Sequence, residues 1–222
     1  VSSLIVRGKF ITIEGTEGVG KTTNIQFIQS WLKAKQIAFE ATREPGGTPL
    51  AEEIRQTLLS PRDEPVCDKA ELLLMFAARA QHLSQVIEPS LSAGNWVLCD
   101  RFTDATYAYQ GAGREMDNQI ISQLEAIVQG ELKPDLTLIL DIPVELGLKR
   151  AVERGDLDRF EQEKTAFFNR VRDCYLQIAK LDPQRCVIID ASLSLSRVQE
   201  QIEIALENFW QSVCQSSAKG SD

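Results

Sequence analysis

Residues 15–23 read Gly-Thr-Glu-Gly-Val-Gly-Lys-Thr-Thr and follow the apolar run 10–13 almost directly. Small residues with one acid and one lysine make a poor core, but their spacing can bind an anion. Gly15, Gly20, Lys21 and Thr22 match G-x-x-x-x-G-K-[ST]. The glycines let the backbone wrap with its N–H groups turned inward, and a helix starting at Lys21 adds the positive end of its dipole. The loop of Gly15, Thr16, Glu17, Gly18, Val19, Gly20, Lys21 and Thr22 therefore reads as a cradle for nucleotide phosphates. Lys21 reaches the terminal phosphates and Thr22 presents an oxygen to Mg²⁺. A glycine-rich turn that happens to precede Lys-Thr is the plain alternative, and the strand before it and the helical pattern after it weigh against that.

A phosphate cradle does not name a reaction. The chain lacks the N-K-x-D and D-x-x-G segments of a GTP-dependent switch. Its third apolar run ends Cys99-Asp100-Arg101, not in the Asp-Glu pair that activates water in transporter-type ATPases. It has a single histidine, His82. An acceptor that is itself a phosphate carries an anionic oxygen and needs no base, so catalysis reduces to alignment and charge neutralisation.

The arginines suit that chemistry. Arg43 sits in the stiff turn Thr42-Arg43-Glu44-Pro45-Gly46-Gly47-Thr48, and Arg101 follows Asp100. Arg79 lies one helical turn beyond Met75 and Phe76, pairing a forked donor with an aromatic surface, which fits a flat base. A surface arginine and a core phenylalanine on an amphipathic helix are the alternative. Arg150, Arg154 and Arg159 punctuate the stretch Arg-Ala-Val-Glu-Arg-Gly-Asp-Leu-Asp-Arg, which reads either as a solvated helix end or as a lid closing cations over the transferred group.

The elements that must position these residues alternate. Short apolar, β-rich runs at 10–14, 38–42, 96–100, 136–141 and 187–190 read as buried parallel strands. Helical patterns occupy 22–35, 70–91, 119–129, 145–154, 164–181 and 196–213. In the 70–91 pattern Leu73, Phe76, Ala77, Ala80, Leu83 and Ile87 share one side. Strands alternating with helices mean an α/β fold around a parallel sheet, with chemistry at the carboxyl ends of the strands. Its 222 residues read as one domain, 1–222, with a lid at about 150–161. The net charge of −8 argues against a nucleic-acid polymer as partner. Five cysteines without a C-x-x-C suggest reduced thiols and a cytoplasmic location, and no segment reads as a leader or a membrane span.

Together, the loop 15–23, Thr-Arg-Glu-Pro-Gly-Gly-Thr at 42–48, Asp100-Arg101, Ala-Tyr-Gln-Gly at 108–111 and the arginine-rich stretch 154–159 resemble bacterial thymidylate kinases, in order, from about residue 10 to about 190. The resemblance implies a five-stranded parallel sheet surrounded by helices, of the P-loop NTP hydrolase type. It implies transfer of the γ-phosphoryl group of ATP to dTMP, with Mg²⁺, in a homodimer. It assigns Gly15 to Thr22, with Arg150, to ATP, and Glu17 to the 3′-hydroxyl of the acceptor sugar. Arg43 and Arg101 fall to the acceptor phosphate, Arg79 to the thymine edge, and Thr106, Tyr109 and Gln110 to base and sugar. Lys21, Arg101 and Arg154 are the catalytic cations, and Thr22 and Asp100 the magnesium ligands. Four residues before Arg79, where the family commonly has its aromatic, this chain has Met75, so the aromatic contact is assigned to Phe76. Phe102 follows Asp-Arg where the family commonly has tyrosine or histidine. A kinase for another acceptor, such as dUMP or a deoxynucleoside, and a non-catalytic nucleotide-binding switch are the competing readings.

Overall fold

The computed structural model describes residues 6–154, 159, 160 and 163–219, without the side chains of 154 and 216–219. Its centre is β1 (Phe10–Glu14), buried along its whole length. Parallel partners flank it: β3 (Trp96–Asp100), with Phe10 beside Val97, and β4 (Leu136–Asp141), with Ile11 beside Leu136. β2 (Phe39–Arg43) and β5 (Cys186–Asp190) complete a five-stranded sheet in the order β2-β3-β1-β4-β5. The two outer strands correct one expectation: β2 has no buried residue and β5 buries only Cys186 and Ile189. An edge strand is covered less than a central one, and apolar composition alone does not say which is which.

Side-chain alternation sorts β1 onto two layers. Ile11 and Ile13 face α1 (Lys21–Ala34) and α9 (Leu195–Lys219), packing with Ile28, Leu32, Ile202 and Leu206. Full burial of each such side chain contributes roughly 1.5–3 kcal/mol. Phe10 faces the other way, onto Ile87, Leu91 and Phe102. Thr12 on that same side shares a hydroxyl–hydroxyl bond of 2.8 Å with Thr137.

The sequence pattern at 70–91 is three segments in one rod. α3 (Asp68–His82) runs into a π-helical turn (Leu83–Ile87) and then α4 (Glu88–Ser92). Phe76, Leu83 and Ile87 are buried, whereas Leu73, Ala77 and Ala80 are exposed. Within α3 the buried face runs through Leu72, Phe76 and Arg79, and Leu73, Ala77 and Ala80 lie rotated off it, ahead of the π turn. Two segments were not expected as helices. α2 (Pro49–Leu59) starts with Thr48 as its cap, accepting from Ala51 N at 3.2 Å, and Pro49 in its first turn. α5 (Thr103–Thr106) continues as a π-helical turn (Tyr107–Gly113) that buries Tyr109 and Gln110. α6 (Asn118–Val128), α7 (Val144–Arg154) and α8 (Thr165–Leu181) complete the helical layers.

α7 lies directly on the phosphate loop. A Cβ on Gly18, which has φ +71°, would stand 2.0 Å from the Gly147 carbonyl oxygen, and one on Gly147 would stand 2.5 Å from the Glu17 carbonyl oxygen. Gly147 is mid-helix, where alanine is intrinsically better by about 1 kcal/mol. Both obstructing atoms are backbone, so the steric term wins. Gly147→Ala is expected to lower the melting temperature by several degrees. Thermal scanning checks this, and a variant at or above wild-type stability would refute the contact.

Candidate active site

Three loops leave the carboxyl ends of β1, β2 and β3 and meet over one cavity of about 490 Å³, within the usual range for small-ligand sites. The first is the phosphate loop. Gly20, at φ +84°, caps α1, and Lys21 is the first residue of that helix. The Lys21 ammonium donates to the carbonyls of Gly15 and Thr16, each at 3.2 Å. Burial and the nearby Arg101 charge depress its pKa. A cation so placed is relieved by an anion entering the loop. Glu17, Val19 and Thr22 also line the cavity, while Gly15 and Thr16 form the loop's floor.

Arg101 follows β3 in a left-handed conformation, φ +68°. Its guanidinium donates to Gly15 O at 3.0 Å and to Glu17 Oε1 at 2.6 Å, and it lies 4.7 Å over the Tyr109 ring. Tyr109 donates its hydroxyl to the same Glu17 oxygen at 2.9 Å. The sequence posed a carboxylate inside a phosphate loop as an oddity. Two donors, one of them charged, answer it.

The far wall belongs to Arg79, 3 % exposed. Its Nε donates to Glu44 Oε2 at 2.7 Å and its Nη2 to Thr106 Oγ1 at 2.9 Å. The Phe76 and Phe102 rings sandwich it at 4.9 and 5.0 Å. The other oxygen of Glu44 lies 3.0 Å from His82 Nδ1, and His82 Nε2 lies 2.6 Å from Thr42 Oγ1. His82 thus anchors the turn that carries Glu44. Removing one partner of the buried Arg79–Glu44 pair would cost about 3–5 kcal/mol. Arg79 Nη1 is buried and has no hydrogen-bond partner, although Arg79 lines the cavity. It is a charged donor whose bonding capacity the fold leaves unmet.

Several of the expected residues lie away from the cavity lining. Phe76 is in the core with Leu72 and Ile121, 2 % exposed, and does not line the cavity; Met75 does. Helical rotation over one residue turns Phe76 beneath Arg79 and Met75 toward the opening. Phe102 in turn supplies the second ring against Arg79. Arg43 is half-exposed, bonded to Glu52 through Nε at 3.2 Å and Nη2 at 2.7 Å, and does not line the cavity. Arg55 of α2 does line it, with Nη1 on Pro45 O at 3.0 Å and a pKa depressed by burial and by the Arg43 charge. Arg55 went unnoticed because its helix did. Its signal was available: Thr-Pro as cap and first turn, then Ile54 and Leu58 at helical spacing.

Arg150 donates to Ala191 O at 3.1 Å beside the end of β5, away from the cavity lining. Arg154 ends α7, and its side chain and the following 155–158 lie outside the described residues. Of the expected lid, Arg159 and Phe160 are described, and Phe160 closes the cavity against the Tyr109 ring, centroids 6.1 Å apart. Thr106, Tyr109 and Gln110 all line the cavity as expected.

For a metal, no group of three or more His, Cys, Asp or Glu exists among the described residues. Mg²⁺ does not need one, since it keeps several waters and borrows substrate phosphates. The chain offers what that mode requires. Thr22 is exposed to the cavity, and Asp100 Oδ1 is buried without a hydrogen-bond partner. The donor set fits a hard, largely hydrated cation.

Beneath the cavity Glu14 ends β1, wholly buried. It accepts from Phe102 N at 2.7 Å and from the Tyr175 hydroxyl at 2.8 Å. Burial first, and then the Asp104 charge, push its pKa up to about 8.

A family model described as thymidylate kinase matches residues 13–202. The chain is similar to the thymidylate kinase of Teredinibacter turnerae, 59 % identical over 202 residues, covering 91 % of this chain and 98 % of the relative. It is similar to that of Pseudomonas savastanoi pv. phaseolicola, 58 % identical over 199 residues, covering 90 % and 95 %. Among solved structures, thymidylate kinase from Ehrlichia chaffeensis superposes with a TM-score of 0.72 at 33 % identity, covering 90 % of this chain and 99 % of that one.

Glu14 gives a pH test. Its carboxyl has a folded pKa near 8, above the ordinary value of 4.5, so the folded state holds the extra proton. The stability it contributes is full below about 4.5 and is lost as pH rises toward 8. Glu14→Gln, which keeps the neutral shape, is expected to flatten the fall in melting temperature between pH 5 and pH 8 and to be the more stable form at pH 8. Parallel pH profiles with an unchanged slope would show that Glu14 is ionised in the fold.

Proposed function

The chain belongs to the thymidylate kinase family, and from that premise we propose that it transfers the γ-phosphoryl group of ATP to the phosphate of dTMP, giving dTDP and ADP, in the cavity between the phosphate loop and the Arg79 wall. The observation that carries this is the pairing of two unlike binding surfaces across one cavity. On one side stand a phosphate loop and Lys21; on the other, a buried forked donor with an unmet N–H. Three cations, Lys21 at the start of α1, Arg55 on α2 and Arg101 after β3, border the space between them.

The monophosphate places its base against Arg79, Thr106 and Gln110, with Met75 as the apolar face. Arg79 Nη1 donates to a ring carbonyl. The sugar lies by Tyr109 and Glu17, where Glu17, already held by two donors, can accept a hydroxyl proton. Arg101 and Arg55 hold the acceptor phosphate. Arg43 serves that phosphate indirectly, by keeping Glu52 and the 43–48 turn in place through Glu52's bond to Gly47 N at 2.9 Å.

ATP phosphates fill the loop 15–22, with Lys21 on the terminal pair. Arg150, at the end of β5, borders the nucleotide's outer part, and Arg154 supplies the lid cation its motif gives it. Thr22 and Asp100 would hold Mg²⁺, which would supply positive charge to offset that of the phosphates. The acceptor oxygen is anionic already, so no side chain needs to take a proton. The protein's contribution is alignment and preorganised charge.

A homodimer in the cytosol completes the reading. All five cysteines are free thiols. Leu73 at 57 % exposure, with Ala77 and Ala80, forms an apolar stripe on α3, and Ile120 and Ile127 stand exposed on α6. Those faces support association of two copies. No helix among the described residues is long and apolar enough to cross a membrane.

ADP release measured with ATP, Mg²⁺ and a panel of acceptors tests the reaction. Release that requires dTMP, falls for dUMP and dCMP and vanishes for thymidine is expected. Release without acceptor, or two-nucleotide binding that never occurs, would favour a switch instead. Two variants assign roles. Lys21→Ala is expected to lower kcat on the order of 10²-fold or more with a smaller change in ATP affinity, since its charge acts mainly in the transition state. Arg79→Lys keeps a charge for Glu44 but cannot also serve Thr106 and the base. It should raise the dTMP constant at least about tenfold, roughly 1.4 kcal/mol, and blur the dTMP/dCMP preference while the ATP constant stays put. Unchanged selectivity would remove Arg79 from base reading.

A further inference from the structure

One buried acid has no part in the mechanism above. Glu71 is fully buried on α3, two turns before Arg79 and one before Met75, on the stripe that backs the cavity wall. It does not line the cavity, but the residues it holds do. Its Oε1 accepts from Gln110 Nε2 at 2.8 Å. Its Oε2 accepts from Arg159 Nη2 at 2.6 Å and from Arg114 Nη2 at 3.3 Å. Arg159 also donates Nε to Leu58 O at 2.8 Å, and its guanidinium lies 4.4 Å over the Phe160 ring. Phe160 in turn stands edge-on to Tyr109. Arg114 is shared with Glu163 and lies 5.0 Å over Phe167.

A carboxylate only accepts hydrogen bonds, so Glu71 decides which end of the Gln110 amide faces it. The Nε2 end is committed to Glu71. The carbonyl end is left for the cavity that Gln110 lines, where it can accept a ring N–H. An amide turned the other way would offer N–H there, and so would welcome a ring nitrogen that is itself an acceptor. Through Arg159 the same carboxylate seats Phe160 as the wall opposite the base.

We propose that Glu71 is a positioning residue that sets acceptor specificity: it orients the Gln110 amide to accept from a pyrimidine N–H and, through Arg159, holds Phe160 on Tyr109. This rests on the acceptor cavity assigned above. The two effects separate by mutation. Glu71→Gln keeps the shape but can donate to Gln110, freeing the amide to turn. Arg159→Met keeps Glu71 on Gln110 and releases Phe160.

Steady-state kinetics with dTMP and dCMP, on enzyme whose wild type first shows dTMP-dependent ADP release, tests this. If wild type shows none, the functional reading fails rather than this one. Glu71→Gln is expected to raise the dTMP constant about tenfold or more, to cut the dTMP/dCMP preference by a similar factor, and to leave the ATP constant within twofold. Arg159→Met should raise the dTMP constant with the preference intact, and the double variant should be no worse than Glu71→Gln alone. A Glu71→Gln enzyme with both constants and the preference unchanged, even if less heat-stable, overturns the proposal, because a merely structural acid would move stability only. Multiplicative effects in the double variant overturn the Arg159 link. If Glu71→Gln does not fold, Arg159→Met decides: an unchanged dTMP constant refutes the seat.

Discussion

Arg101 stands in a left-handed backbone conformation with its guanidinium shared between the Gly15 carbonyl, the Glu17 carboxylate and the face of Tyr109. For an L-residue with a side chain that conformation costs about 1–2 kcal/mol. The sheet imposes it: Arg101 N still donates to Ile13 O at 3.0 Å, so the chain must turn sharply at the last rung between β1 and β3. The turn throws the side chain back over the phosphate loop. One residue thereby joins the loop after β1, the loop after β3 and the π-helical turn that carries Tyr109. Without it Glu17 would lose its arginine donor, and the loops after β1 and β3 would lose the side chain that ties them together.

Around that joint four cations line the cavity: Lys21, Arg55, Arg79 and Arg101. Each is tied to its own acceptor: Lys21 to the carbonyls of Gly15 and Thr16, Arg55 to that of Pro45, Arg101 to Gly15 O and Glu17, and Arg79 to the buried Glu44. Clustered cations in a partly dry cavity would repel and splay. These acceptors fix their directions. The acidic balance of the whole chain, −8, is thus no obstacle to anion binding.

The parts legible in the sequence were those set by local chemistry. The phosphate loop follows from glycine and helix-start rules, and β1, β3 and β4 from apolar runs that bury both faces. What escaped depends on tertiary geometry. Arg43 ends β2, Arg55 lies twelve residues on, and both carry a charge. Only the start of α2 at Pro49 decides that Glu52 takes the first and the cavity the second. Met75 and Phe76 are adjacent, and the choice between them is a rotation of α3 that only its packing fixes. The π-helical turn at 107–113 has no apolar period to announce it, and it needs its glycines small: a Cβ on Gly113 would meet the Phe167 ring at 2.6 Å. Glu71 looked like any acid in the first turn of a helix, and only Gln110, Arg114 and Arg159, distant in sequence, make it more.

Three buried polar side-chain atoms among the described residues lack hydrogen-bond partners: Asn24 Oδ1, Arg79 Nη1 and Asp100 Oδ1. Left unmet, such groups cost about 1–3 kcal/mol each, more when charged. Two of them belong to residues lining the same cavity, and their needs are opposite. Arg79 requires an acceptor; Asp100 requires a donor or a cation. A ligand set that meets both must present an acceptor on one part and a donor or cation on another, which is the two-sided demand that the proposed pair of substrates carries.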